Sequence, residues 1–154
     1  MTIDDMLYVL DQRNRPGRAA LLAYREQPFQ SGTISAGGAD IIIDLPKPAQ
    51  GFVRRWEHLL FNPLTNMVNA DQIHFSRISF DQTTGVDLCY FTGSAWVANQ
   101  PLPLIGTRYM NTTPITGIDP FIVGSEEILR IFVDYSAPVA QQCGVSGWYK
   151  DLPI

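Results

Sequence analysis

The sequence predicts an all-β protein: an antiparallel β-sandwich, jelly-roll-like, preceded by an N-terminal arm with at most short helical turns. Three observations carry this expectation. From Ser31 onward, short apolar runs rich in β-branched and aromatic residues recur at roughly ten-residue spacing. Between them stand Gly, Pro, Asn and Asp, and 12 Gly and 11 Pro in 154 residues describe a chain that turns often. No part of the body sustains a helical apolar period of the kind that alternates with strands in a βαβ fold.

A chain of this length holds one core of normal size, so the organisation expected is a docking arm over 1–30 and a sandwich domain over 31–154. The arm differs in composition from the rest. It carries Arg13, Arg15, Arg18 and Arg25 against Asp4, Asp5, Asp11 and Glu26. Thr2 followed by Asp4 and Asp5 suits the start of a helix, because a hydroxyl cap and acidic groups complement the helix dipole. Asn14-Arg15-Pro16-Gly17 then interrupts it with turn chemistry. Residues 18–24 could form a second helical turn or an extended piece. Both pieces are too short to be stable alone. They are also too apolar for a free tail, so the arm is expected to dock. Its partner-binding residues are taken to be Met6, Leu7, Leu10, Arg13, Arg15, Arg18, Leu21, Leu22 and Tyr24.

In the body, Ala36-Gly37-Gly38 reads as a turn and 40–45 as a β-branched strand, broken by Pro46-Lys47-Pro48. Residues 52–61 read as a longer strand, although 56–61 alone could pass for a helix, and Asn62-Pro63 stops it. Residues 64–70 read as a loop or one helical turn. Over 73–81, Ile73 and Phe75 share one phase and Ile78 and Phe80 the other. Such a slip in a period-2 pattern predicts a β-bulge near Ser76-Arg77. Residues 81–85 read as a hairpin turn, 86–92 as the returning strand and 95–98 as a short edge. Pro101 and Pro103 exclude a central strand around them. Residues 104–110 read as a strand, 111–120 as a loop, 121–123 as a short strand and 128–135 as a strand. The last strand expected is 139–149, weakened by Gly144 and Gly147.

Function classes narrow next. The formal net charge of -4 gives no basic footprint for nucleic acid. No apolar run approaches the roughly 20 residues of a membrane span, and no leader is visible. Cys89 and Cys143 read as reduced thiols, with a bridge between them as the alternative. The sequon at Asn111-Thr112-Thr113 matters only on a secretory route. No cofactor motif is visible: Ala36-Gly37-Gly38 lacks the Lys-Ser/Thr of a phosphate-binding loop. No metal site is expected, since His58 and His74, with Glu57 or Asp71, lack ligand spacing. No catalytic set is expected either. The cysteines have no His nearby in sequence, and Gly144-Val145-Ser146-Gly147 is not a nucleophile elbow. Glu126-Glu127 reads as a solvated turn, and Asp81 and Asp87 flank a hairpin without further support. Arg54-Arg55-Trp56 reads as the seat of a cross-strand ion pair. Of the aromatics, two Trp are expected in the core and one at an interface. An exposed Trp96, Trp148 and Tyr149 would instead make a sugar-binding platform.

Ser31-Gly-Thr-Ile-Ser-Ala-Gly-Gly-Ala-Asp-Ile-Ile-Ile-Asp-Leu-Pro46 resembles the opening strands of a particular group of domains. Ile128-Leu-Arg-Ile-Phe-Val-Asp-Tyr-Ser136, followed by Gly144-Val-Ser-Gly-Trp-Tyr149, resembles their closing strands. The group is the capsid decoration (cement) proteins of tailed-phage virions, built on jelly-roll-like domains. The resemblance implies a virion structural protein made in the host cytoplasm, without enzymatic activity. It also implies homo-oligomers, often trimers, bound to the major capsid protein. The bias of nine Arg to two Lys suits an interface. Two competing expectations are kept: a carbohydrate-binding or fibre-type receptor-binding module, and a cupin-like metal protein using His58 and His74.

Overall fold

The structure is a computed structural model. It describes residue 3 and residues 25–37, 40–65, 70–79, 85–92, 100–134 and 140–154. Along its strands the side chains alternate between core and solvent. Ile41 and Ile43 are buried while Ile42 and Asp44 are exposed, and Leu129, Ile131 and Val133 are buried at every second position. A strand with one apolar face needs a second layer to cover it, and the chain supplies two sheets.

The described elements are twelve strands: β1 (Gln27–Gln30), β2 (Ile34–Gly37), β3 (Ile41–Asp44), β4 (Phe52–Pro63), β5 (Gln72–Ser79), β6 (Val86–Thr92), β7 (Leu102–Ile105), β8 (Thr107–Met110), β9 (Thr113–Thr116), β10 (Phe121–Val123), β11 (Glu127–Asp134) and β12 (Ala140–Pro153). Their pairing is nested. β1 and β2 pair with β12, β3 with β11, β4 with β7 and β10, and β5 with β6. Two further ladders, β12 with β4 and β11 with β5, join these pairs into sheets. The first sheet runs β1/β2, β12, β4, β7/β10, and the second runs β3, β11, β5, β6. The strand ladders are antiparallel. Two four-wide sheets from one nested, antiparallel fold-back are the jelly-roll form of the all-β sandwich. β8 and β9 form a separate two-stranded sheet, and the chain just after β9 bonds back to β7 through Ile118 N–H and the Leu104 carbonyl.

The core lies between the sheets. Trp56, Leu59, Phe61, Leu104 and Val145 from the first meet Ile43, Ile73, Phe75, Ile131 and Val133 from the second in one apolar cluster. Each such side chain contributes about 1.5–3 kcal/mol by leaving water. Phe75 and Phe121 span the gap with ring centroids 6.4 Å apart.

Two irregularities set which residues face out. Trp148 is opposite His58 and Tyr149 opposite Trp56, so Glu57 is an extra residue on β4. Burial follows the slip: Arg54 and Trp56 are buried before it, and Leu59, Phe61 and Pro63 after it. The bulge expected near Ser76-Arg77 falls between Phe75 and Ser76, and the extra residue is Leu88 on the partner strand.

Several boundaries differ from expectation. The sheet begins ahead of Ser31: β1 pairs with β12, and Phe29 meets Trp56 edge-on at 5.7 Å. Ala36 and Gly37 belong to a strand rather than a turn, because β12 is long enough to pair with them. Residues 104–110 form two strands broken at Gly106, whose φ of 85° turns the chain. Residues 111–120 hold β9, since Asn111 adopts a left-handed φ of 57° and folds Thr113–Thr116 back on β8. β7 contains Pro103 yet forms a strand, at the edge beyond β4 where a missing donor is tolerated. β12 is the longest strand, 14 residues, despite its glycines. Gly147 is required there, because a Cβ would collide with the His58 carbonyl oxygen.

Candidate functional site

The outer face of the second sheet gathers the chemistry. Register places Ile42 opposite Phe132, Phe132 opposite His74, and His74 opposite Tyr90. These four form one row across β3, β11, β5 and β6. Tyr90 is 45% exposed and Ile42 56%. The His74 ring lies 4.7 Å from Tyr90 and 6.1 Å from Phe132, tilted to both.

The next row is polar: Asp44, Arg130, Ser76 and Asp87 occupy successive strands in register. Arg130 donates to both oxygens of Asp44, at 2.6 and 3.0 Å. Its guanidinium is held more basic than usual by the Asp44 hydrogen bond. Ser76 Oγ donates to Asp87 Oδ1 at 2.6 Å, and His74 Nδ1 lies 2.8 Å from Asp87 Oδ2. An ionised carboxylate only accepts, so Nδ1 carries the proton in this pair. Burial pushes the Asp87 carboxyl up, but the Ser76 and His74 hydrogen bonds and the His74 charge outweigh it and hold it below its ordinary value. Ile42, Phe132 and His74 of the first row and Arg130, Ser76 and Asp87 of the second line an open groove of about 600 Å³, and Tyr90 flanks it through its contact with His74.

This arrangement does not activate a nucleophile. The Ser76 hydroxyl donates its hydrogen bond to Asp87 rather than to an imidazole, and a carboxylate held below its ordinary pKa is a weak base. Cys89, opposite Phe75 on β6, is no better. Burial and the Asp87 charge push its thiol up to about 12, so it stays protonated at neutral pH. Neither cysteine is in a disulfide, and they sit on different sheets.

The histidines are separated by the sandwich. His74 faces out from the second sheet, whereas His58 stacks on Trp148 outside the first, with ring centroids 4.4 Å apart. The core between them forbids the shared metal site weighed from the sequence. Burial lowers the His58 pKa. Among the described residues, no group of three His, Cys, Asp or Glu is gathered as metal ligands would be.

Trp148 is 39% exposed, but Tyr149 packs against buried Trp56 at 5.0 Å and lies under the Arg54 guanidinium. Trp148 and Tyr149 therefore do not share a platform. Trp96 and the arm residues Met6, Leu7, Leu10, Arg13, Arg15, Arg18, Leu21, Leu22 and Tyr24 lie outside the described residues, as does Asp81.

The cross-strand pair expected at Arg54-Arg55 is present. Buried Arg54 donates to both oxygens of Asp151 on β12, at 2.7 and 2.9 Å, and to the Pro46 carbonyl. Arg55 faces the other way and pairs with Glu57.

Sequence reasoning missed the Ile42–Phe132–His74–Tyr90 row, yet a signal was there. Ile41-Ile42-Ile43 and Ile131-Phe132-Val133 are apolar triplets in strands with one buried face. The middle residue of such a triplet must point outward.

Among the described residues no helix is long and apolar enough to cross a membrane. Comparison of the chain with protein-family models, with curated proteins and with solved structures gives no match.

Proposed function

We propose that this chain is a virion structural protein, a capsid decoration (cement) protein. In this reading it assembles as homo-oligomers and stabilises a viral shell by binding the major capsid protein. The observation that supports it best is where the chain enters the body. β1 lies at the edge of the first sheet, and the residues that precede it in the sequence are apolar and basic. A segment that is apolar and cannot fold alone gains order from a neighbour.

Co-sedimentation with shells assembled from the major capsid protein tests this. The full chain is compared with one lacking residues 1–24, a cut that keeps β1 and its ladder to β12. The full chain is expected to pellet with the shells and the shortened one to stay in solution. A full chain that stays in solution, or a shortened one that pellets equally well, overturns the reading.

A second reading, a carbohydrate-binding or fibre-type receptor-binding module, is favoured by the outward-facing Tyr90–His74–Phe132 row, in which Tyr90 is exposed and the other two are half-buried.

A further inference from the structure

We infer that the outer face of the second sheet is a binding site for a neutral saccharide, centred on Tyr90, His74 and Asp87. This gives the carbohydrate reading a place and a ligand class, and it stands apart from attachment to a shell.

The row Ile42–Phe132–His74–Tyr90 supplies apolar and aromatic surface next to water, with Ile42 and Tyr90 exposed at its two ends. The adjoining row supplies planar, rigidly held hydrogen-bonding groups. Each carboxylate oxygen of Asp87 accepts one bond from the protein and retains lone-pair capacity. A ring oriented by its Nδ1 bond keeps its Nε2 for a ligand hydroxyl. A pyranose offers the matching surfaces: an apolar C–H face for the rings and hydroxyls that both donate and accept.

Charge decides against an acidic ligand. Arg130 is neutralised by Asp44 through two bonds, and Asp87 adds a carboxylate that accepts from Ser76 and His74. The groove therefore disfavours anions and presents acceptor oxygens to hydroxyls, which complements a neutral polyol. Its volume of about 600 Å³ lies within the range of small-ligand sites, about 300–1,000 Å³.

The test uses the full chain on an array of neutral oligosaccharides (gluco-, galacto-, xylo- and N-acetylhexosamine-based, three to six units) with sialylated and sulfated glycans alongside. Binding to at least one neutral glycan is expected, with Tyr90→Ala weakening it tenfold or more. Chemical-shift mapping with that glycan on the unmodified protein is expected to move the Tyr90, His74 and Asp87 resonances, which covers the case of a variant that does not fold. Four results would overturn the inference: no neutral glycan bound, binding of acidic glycans only, loss on Trp148→Ala but not on Tyr90→Ala, or Tyr90→Ala changing the oligomeric mass instead, which would make this face a contact between copies.

Discussion

Asp87 shows how one residue can organise a surface. Its carboxylate ties Ser76 to His74 across β5 and β6 and is held below its ordinary pKa. A carboxyl depressed in the folded state adds stability that is fully present above its unfolded value, about 3.9, and is lost as the pH falls through the lower folded value. Ser76→Ala removes one of the bonds responsible. NMR titration of the Asp87 carboxyl is expected to show its pKa rising in that variant; an unchanged value would mean that the Ser76 bond does not hold it down. Cys89 is shifted the other way, up to about 12, and Cys143 is fully buried. A thiol reagent at pH 8 is therefore expected to find almost no reactive sulfur in the native protein and two per chain in denaturant.

Individual strands depend on a few positions that tolerate no substitute. Gly147→Ala would drive a Cβ into the His58 carbonyl, backbone that cannot swing aside, whereas a Cβ at Gly124 would meet nothing. Urea denaturation is expected to show Gly147→Ala losing about 3 kcal/mol or failing to fold, with Gly124→Ala within about 0.5 kcal/mol of the parent. Asp151→Ala strands the buried Arg54 guanidinium and is expected to cost about 3 kcal/mol, as removal of one buried partner does. The sequence disclosed the strands that alternate cleanly, such as β3 and β11, because period-2 burial is written in residue type. It placed the slip in β5 within a residue. It did not disclose β9 or the break in β7–β8, which depend on the left-handed backbone at Asn111 and Gly106. Nor did it place the groove, because a row across four strands exists only once their register is set. Gly144 and Gly147 look like weak points of β12 in the sequence, because close approach of a neighbouring backbone cannot be seen in one strand's residues.

For the whole molecule, the nested pairing leaves two outer faces and the edges marked by β1/β2 and β7/β10 in the first sheet. Unpaired edges are managed in proteins by covering or by association. Light scattering of the full chain is expected to give an integral multiple of 17.2 kDa greater than one; a single 17.2 kDa species would remove the homo-oligomer from the proposal. The most direct test of attachment to a shell is made on particles. Virus particles from the producing cell are banded on a density gradient, and peptides of this chain are counted by mass spectrometry against those of the major capsid protein. Attachment predicts that the chain bands with the particles at a fixed ratio to the capsid protein. Recovery of the chain only from the soluble fraction would contradict it.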